Sequence, residues 1–274
     1  MKTRSRFGLG LGLGVSAAAF LAPLLWLISL SLKTGPAVYE YPPRFMPAEP
    51  SLANYVFVLA KTQVPYYLAN SAKVATLATL LTLVLALPAA FVLSRERFPG
   101  RSSVIQGLML VQLVSPLVLL VPIYAVVSSL GLLDSHAGLI LVYSTVQLPL
   151  TVSILRTFCD ALPKELFEAA MLDGATRFDT LRRVALPLLG PGLGAATIFN
   201  LAAYWAEFSL SLVLLDSQRL FTVPVGLFNL QSGYETEWQI VAAAALLALV
   251  PVLTAFVALQ RYFVAGLTAG AVKG

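Results

Sequence analysis

Six long runs of apolar residues, separated by more polar segments, dominate the pattern along the chain. Each run is near or above the roughly 20 residues that a helix needs to cross the hydrocarbon layer of a bilayer. The third and fourth runs contain Pro116, Pro122 and Pro149, which a membrane helix tolerates where neighbouring helices satisfy the freed backbone groups. The sequence therefore predicts six spans, at about residues 7–32, 70–94, 103–130, 137–158, 190–215 and 239–265.

The composition indicates the same fold class. Of the 274 residues, 58% are hydrophobic and 11% are charged, whereas soluble domains carry roughly 25% charged residues. Such a chain has too few polar groups to cover its surface in water, but a bilayer does not require them. We expect an all-α integral membrane protein, with one transmembrane domain over residues 1–274.

The formal net charge of +5 raises the question of a nucleic-acid partner, but the basic residues lie at the ends of the apolar runs. Nucleic-acid surfaces gather their basic residues in one patch, so no nucleic-acid partner is expected here. With the N-terminus inside, 13 of the 18 Lys and Arg residues fall on the cytoplasmic side. By the positive-inside rule, both termini and the loop between the fourth and fifth spans are cytoplasmic.

That loop, residues 159–189, is predicted to form two short helices joined by a tight turn. Pro163 suits the first helical position, where the missing N–H has no partner to lose. Gly174 is expected to end the first helix as a left-handed cap, a conformation that glycine adopts without steric cost. The loop therefore presents a helix and a sharp reversal.

The second helix of the loop has its own start signal. Thr176 is predicted as its N-cap, with Asp179 three residues later as the partner in a capping box. Arg183 stands one helical turn beyond Asp179, a spacing that favours an ion pair. Pro187 is expected to mark the point where the chain turns into the fifth span.

The first helix of the loop carries small residues next to apolar ones. Ala169 and Ala170 beside Glu168 allow close approach of another surface. Apolar side chains on the same helix can fill a partner's cleft, as amphipathic helices do in grooves; they are Leu166, Phe167, Met171 and Leu172. The alternative from the residues alone is a helix that lies on the lipid headgroups.

The segment Glu168-Ala169-Ala170, with Gly174 four residues after Ala170 and Val184-Ala-Leu-Pro187 beyond it, resembles the EAA loop of ATP-binding-cassette importer permeases. The resemblance implies that this loop docks into a cytoplasmic ATPase and transmits the closure that nucleotide binding drives. The implied ATPase-coupling residues are Glu168, Ala169, Ala170, Met171, Leu172, Asp173, Gly174 and Pro187.

The C-terminal part resembles carbohydrate-uptake permeases of the maltose-permease-G type, through Thr222-Val-Pro224-Val-Gly226 and the glycine-rich ending 266–274. In that family the ending reaches toward the ATPase dimer, which implies ATPase-facing roles for Gly270, Lys273 and Gly274. A frayed terminus is the alternative. The resemblance further implies a prokaryotic cytoplasmic membrane, a second permease of the maltose-permease-F type, a dimeric ATPase and an extracytoplasmic solute-binding protein.

The fifth run holds polar and aromatic residues in an apolar background. An acid inside a span is costly and indicates function by default, while aromatic faces beside hydrogen-bonding groups suit sugars. The predicted solute-path residues are Asn200, Tyr204, Trp205, Glu207 and Ser209. Alternatively, Glu207 lies near the outer interface and the aromatic residues pack as core. Related permeases often carry an Asn before this Glu-Phe pair, where Ala206 stands here.

No cofactor is expected in this chain. It lacks a Gly-x4-Gly-Lys-Ser/Thr loop, so ATP and Mg would be bound by the partner ATPase, and the chain itself is predicted not to be an enzyme. One Cys and one His provide no Cys/His metal cluster. A sugar or sugar-like solute is the predicted cargo. The alternatives are an ion-gradient-driven secondary transporter, which would show repeated halves, and a membrane-embedded enzyme.

Overall fold

The computed structural model of the chain describes residues 2–231 and 236–271, with side chains for 14–231 and 236–258. Every regular element in these ranges is helical. A π-helical stretch covers Thr180–Ala185 and a 3₁₀ turn covers Gln218–Leu220. The α-helices are α1 Lys2–Ser31, α2 Gly35–Val38, α3 Ala53–Lys61, α4 Val64–Arg95, α5 Arg101–Val111, α6 Leu120–Ser129, α7 His136–Ala161, α8 Glu165–Leu172, α9 Arg177–Asp179, α10 Leu186–Leu188, α11 Gly190–Ala206, α12 Ser209–Leu214, α13 Val223–Asn229 and α14 Trp238–Ala271.

Four stretches are long and apolar enough to cross a bilayer: Gly14–Ser31, Val64–Arg95, His136–Ala161 and Trp238–Ala258. They correspond to the first, second, fourth and sixth predicted spans. A fifth candidate is the pair Arg177–Leu188 and Gly190–Ala206, which is bent by 78°. The all-α membrane fold is therefore confirmed, with four or five candidate spans in the part of the chain that the structure describes.

The prediction of one continuous helix over residues 103–130 is wrong. The run divides into α5 and α6, and residues 112–119 between them form turns in which amides bond to carbonyls three residues back, as Leu119 does to Pro116. Pro116 lacks an N–H, and its ring clashes with the carbonyl four residues earlier. A second proline, Pro122, lies in the first turn of α6, where a missing N–H is harmless.

The predicted helix over residues 190–215 is also interrupted. Helix α11 ends at Ala206, Glu207 is extended with φ −71° and ψ 125°, and α12 begins at Ser209. The interruption has no proline. Its cause is the Glu207 side chain, which bonds to the freed amides of α12 as described below.

The chain forms two compact units, which we describe separately. One comprises residues 1–66 and 226–250, the other residues 67–225 and 251–274. In the first unit, the Asn54 amide donates to the carbonyls of Ser31 and Lys33, each at 2.8 Å. The Lys33 ammonium is almost fully buried, donates to the Arg44 carbonyl at 2.7 Å and lies 4.9 Å from the centre of the Trp26 ring. These bonds fix the segment after α1.

The second unit has its core among α4, α7 and α11. Close packing there depends on small residues that are fully buried, such as Ala78, Ala86 and Ala196. Outside the spans, Asp134 accepts from the amides of Asp216 (2.9 Å) and Ser217 (2.8 Å) and from the Ser217 hydroxyl. Led by the hydroxyl bond from Ser217, these bonds hold the pKa of Asp134 below its usual range. The loop before α7 is thereby joined to the loop after α12.

Gly138 tests how tightly the start of α7 packs against the loop that precedes it. A Cβ added there would lie 2.3 Å from the Leu132 carbonyl oxygen, whereas a Cβ at Gly107 in α5 would meet nothing within 4 Å. We expect Gly138→Ala to cost about 1–3 kcal/mol through overpacking and Gly107→Ala to cost nothing measurable. Cys159 is the chain's single cysteine and is buried, so a thiol-reactive dye reports thermal unfolding. Equal melting temperatures for both variants would contradict the tight α7 packing.

Candidate functional site

The first helix of loop 159–189 begins two residues later than predicted. Leu162 is extended, with ψ 142°, as the residue before a proline prefers. Lys164 occupies the N-cap of α8, and its carbonyl accepts from the amides of Phe167 (3.0 Å) and Glu168 (3.1 Å). Pro163 therefore precedes the helix instead of opening it.

Gly174 ends α8 as predicted. Its φ is +82°, and its amide donates to the Met171 carbonyl at 3.1 Å, while the Ala175 amide donates to the Ala170 carbonyl at 3.0 Å. These two bonds are the pair that defines a Schellman motif. A Cβ at Gly174 would meet nothing within 4 Å, so the backbone angle alone demands glycine.

The capping box at Thr176 is confirmed. The Thr176 hydroxyl accepts from the Asp179 amide at 3.1 Å, and the Asp179 carboxylate accepts from the Thr176 amide at 3.4 Å. Asp179 also pairs with Arg183 at 3.4 Å, as the spacing predicted. Two reciprocal bonds thus restart the helix directly after the glycine turn.

The chain turns into α11 at Leu189, two residues after the predicted Pro187. Pro187 lies within α10, and the stretch before it is π-helical, with the Leu186 amide bonded to the Leu181 carbonyl. A missing N–H and a ring that clashes with the carbonyl four residues back favour this wider spacing. The 78° bend follows at the end of α10.

Helix α8 has one face fixed to the protein and one face exposed. Phe167 is buried, its ring centre lies 5.9 Å from that of Phe91, and the Arg95 guanidinium lies 4.2 Å from the same ring. Phe167 therefore cannot fill a partner's cleft, contrary to expectation. Leu166, Met171 and Leu172 remain exposed, Leu172 by 89%, and Glu168 and Ala169 lie on the exposed side as well.

A groove of about 580 Å³ lies beside α8. Its walls carry charges from α4 and from the loop, including Glu96, Lys164 and Glu168. Arg177 forms an ion pair with Glu96 across the groove, at 3.1 Å. The exposed face of α8 is thus bordered by a polar recess into which a partner side chain can project.

The predicted solute-path residues divide into two groups. Glu207 accepts from the amides of Leu210 (2.7 Å) and Ser211 (3.1 Å) and from the Tyr143 hydroxyl (2.7 Å). Tyr204 stacks on Tyr143 with ring centres 5.2 Å apart, and its hydroxyl lies 2.7 Å from that of Thr82. These contacts join α4, α7, α11 and α12 in one buried polar network.

Asn200 belongs to the same interior. It is 1% exposed, its carbonyl oxygen accepts from Thr151 at 3.0 Å, and its Nδ2 has no partner among the described residues. Trp205 instead lines a separate apolar groove with Thr76 and Phe256, and Ser209 is half-buried at the start of α12. Asn200 and Tyr204 are therefore enclosed by this chain in the conformation described.

Sequence reasoning missed the partners of these residues. Thr82, Tyr143 and Thr151 are polar side chains inside apolar helices, and each is at most 1% exposed. Buried polar groups need partners, so their presence in spans predicts some interhelical bond, but their sequence positions do not say to which residue.

The C-terminal residues are only partly described. Helix α14 runs to Ala271, so Gly270 lies in its last turn instead of in a separate tail. Lys273 and Gly274 lie outside the described residues.

The fold and the loop define a polytopic helical membrane protein with a structured loop between two of its helices. Residues 82–269 match the family described as binding-protein-dependent transport system inner membrane component. The chain is 39% identical to the diacetylchitobiose uptake system permease protein DasC of Streptomyces coelicolor, over 99% of each chain. It is 34% identical to the trehalose transport system permease protein SugB of Mycobacterium tuberculosis, over 93% of each.

Another relative is the trehalose/maltose transport system permease protein MalG of Thermococcus litoralis, 34% identical over 93% of this chain and 92% of that one. The fold matches the crystal structure of a bacterial transporter that imports alginate, with a TM-score of 0.81 at 22% identity over 96% of this chain and 98% of that one. The chain belongs to the family of binding-protein-dependent transport system inner membrane components.

Glu207→Leu tests the buried network. It leaves two amides of α12 and the Tyr143 hydroxyl without an acceptor in apolar surroundings, at a cost of about 3 kcal/mol or more. Glu207→Gln is the matched control, because its carbonyl oxygen still accepts from one amide. We expect the melting temperature, followed by dye labelling of Cys159, to fall several degrees further for Leu than for Gln. A Leu variant as stable as the Gln variant would exclude the capping role.

Thr176→Val tests the capping box. The isosteric change removes the acceptor for the Asp179 amide and costs about 1 kcal/mol, or about fivefold in the local opening equilibrium. We expect hydrogen exchange at the start of α9 to speed up by that factor. Thr157→Val is the control, because the Thr157 hydroxyl bonds only within α7. Unchanged exchange in Thr176→Val would show that the turn, not the cap, holds the second helix.

Proposed function

We propose that the chain is a permease subunit of an ATP-binding-cassette importer and forms half of the pathway for a sugar or sugar-like solute. The relatives named for uptake of diacetylchitobiose, trehalose and trehalose/maltose support this cargo class, because each matches nearly the whole chain. The observation that carries the proposal is α8, a short helix closed by a Schellman turn with an exposed apolar face.

The exposed face of α8 is the ATPase docking surface in this proposal. Leu166, Met171 and Leu172 supply apolar contacts, Ala169 allows close approach, and Glu168 borders the recess. The buried face supplies the coupling: Phe167 is wedged between Phe91 and Arg95 of α4. A displacement of α8 by the ATPase therefore moves the end of a long span directly.

The sidedness rests on charge. The distribution of Lys and Arg places loop 159–189 and both termini in the cytoplasm. Six crossings result if α5 and α6 form one broken span and α11 and α12 form another. The expected environment is a prokaryotic cytoplasmic membrane.

The partners follow from the same proposal. They are a second permease, a dimeric ATPase that binds ATP and Mg, and an extracytoplasmic solute-binding protein. The family description names dependence on a binding protein, and a solved structural neighbour is an alginate transporter in complex with its periplasmic protein. The C-terminal residues Gly270, Lys273 and Gly274 are proposed to approach the ATPase. Catalysis resides in the partner and not in this chain.

The unwound segment 112–119 is the proposed lining of the solute path. All of its residues except Leu119 are exposed in this chain, Leu113 by 81% and Val118 by 73%. Non-helical backbone at membrane depth is tolerated only where it is covered by protein or lines a water-filled cavity. Of the residues predicted from the sequence, Trp205, Glu207 and Ser209 retain partial exposure, while Asn200 and Tyr204 would support the wall from behind.

The hydrogen bonds of Glu207 argue against the alternative of an ion-gradient-driven secondary transporter. Both carboxylate oxygens are occupied by donors of this chain, two of them backbone amides. Coordination of a transported cation would require the carboxylate to give up these bonds and would uncap α12. The geometry therefore favours a fixed structural acid over an ion site.

Gly174 provides the test of the docking surface. Gly174→Val forces a β-branched residue to φ +82°, whereas Gly174→Asn places there a residue that tolerates this region. We expect Val to reduce ATPase recovery with the tagged subunit in mild detergent by roughly tenfold, from about 1–2 kcal/mol of strain, and Asn to retain most of it. The second permease should co-purify with both variants.

Two results would contradict the proposal in different ways. ATPase recovered equally with wild type and Gly174→Val would place the docking surface elsewhere. The wild-type subunit recovered without an ATPase or a second permease would exclude the importer assignment.

A further inference from the structure

A third groove, of about 400 Å³, borders the recess beside α8, with which it shares Arg97 and Arg101. We call it the arginine groove and define it by its lining residues Arg97, Phe98, Arg101, Ser102, Ile105 and Arg156. Three of the six are arginines, and none is acidic. Arg97 and Phe98 follow the end of α4, Arg101 opens α5, and Arg156 lies near the end of α7.

The three guanidinium groups differ in how far they are satisfied. Arg101 donates from Nε to the Leu93 carbonyl at 2.8 Å and from Nη2 to the Ser94 carbonyl at 3.4 Å, but it pairs with no carboxylate among the described residues. Arg156 pairs with Asp160 at 3.5 Å, but that carboxylate also accepts from Ser94 at 2.5 Å. Arg97 is exposed and has no ion pair or hydrogen bond to the described residues. The groove therefore holds excess positive charge.

The start of α5 adds to this field. Its N-cap is Gly100, at φ +85°, and no side chain caps the helix. The Arg101 amide donates to the Phe98 carbonyl, but the positive end of the dipole of this eleven-residue helix still favours a negative charge at the groove end of α5. Guanidinium groups bind phosphate oxygens through paired hydrogen bonds, so an anionic phosphate is the chemistry that this site recognises.

The apolar residues in the walls of the groove indicate what kind of molecule carries the phosphate. Phe98, 37% exposed, and half-buried Ile105 line the groove beside the arginines. From Val104 to the end of α5, four of the five exposed side chains are apolar, namely Val104, Met109, Leu110 and Val111, and the fifth is Gln106. A water-soluble phosphate has no apolar part to contact these side chains of α5, whereas a phospholipid can place its acyl chains against them.

We propose that the arginine groove binds the headgroup phosphate of an anionic phospholipid in the cytoplasmic leaflet. The assignment rests on the proposed function for its sidedness, since only that orientation sets the groove at cytoplasmic headgroups. The lipid bridges the α4–α5 turn and the end of α7, next to the recess beside α8, with which the groove shares Arg97 and Arg101.

The test counts lipids retained by the intact complex. The complex, purified through this subunit, is titrated with phosphatidylglycerol or phosphatidylcholine in detergent and analysed by native mass spectrometry. We expect wild type to retain phosphatidylglycerol preferentially. Removal of one basic group should weaken that retention roughly fivefold, so Arg97→Gln should show this loss and Arg97→Lys a smaller one. Arg219→Gln, an exposed arginine outside the groove, should match wild type.

Three outcomes would overturn the proposal. Arg97→Gln could retain phosphatidylglycerol like wild type, or phosphatidylcholine could be retained equally well. Alternatively, millimolar glycerol 3-phosphate could displace the lipid, which would assign the groove to a soluble anion. The ATPase is scored in the same spectra, so a wrong importer assignment appears as a missing ATPase and a wrong lipid site as unchanged retention in a complete complex.

Discussion

The need to satisfy backbone groups wherever a helix stops inside an apolar environment governs this structure. An orphaned amide or carbonyl costs several kcal/mol in lipid, roughly as much as a hydrogen bond is worth there. The chain meets the need with side chains that bind the freed backbone groups. Glu207, at the break itself, receives the amides of α12. In the loops outside the spans, Asp134 receives the amides of Asp216 and Ser217, and the Asn70 amide donates to the carbonyls of Arg219 and Phe221. Each of these side chains also holds one element of the structure against another.

The same constraint makes loop 159–189 a stiff connection. The Arg95 guanidinium donates to the carbonyls of Cys159, in the last turn of α7, and of Leu162, its C-cap residue, and lies over the Phe167 ring. One side chain at the end of α4 thus joins α7 and α8. Force applied to α8 reaches two long helices without a flexible linker in between. By contrast, a helix attached only through a flexible loop would move without displacing the long helices.

Local features of the site were predictable, because their causes lie within a few residues. Gly174 and the Thr176–Asp179 box were identified from residue types and spacing, and the structure has both. The start of α8 was displaced because the preference of the residue before a proline outweighed the suitability of Pro163 for the first turn. The apolar run predicts helix over segment 112–119, where the structure has turns, because hydropathy measures apolar content and not hydrogen bonding.

Contacts between residues far apart in the sequence could not be predicted, for a different reason. Glu207 was recognised as an unusual acid, yet its partner Tyr143 lies 64 residues earlier and is chosen by how α7 packs on α11. Similarly, the charge pattern indicates which side of the protein is basic, but it does not indicate which arginines have partners within the chain. The Arg95 guanidinium donates to two carbonyls and lies over the Phe167 ring, whereas Arg97, two residues later, has no ion pair or hydrogen bond with the residues that the structure describes. The difference arises because α4 ends at Arg95, so the first arginine still lies among the packed helices and the second is exposed.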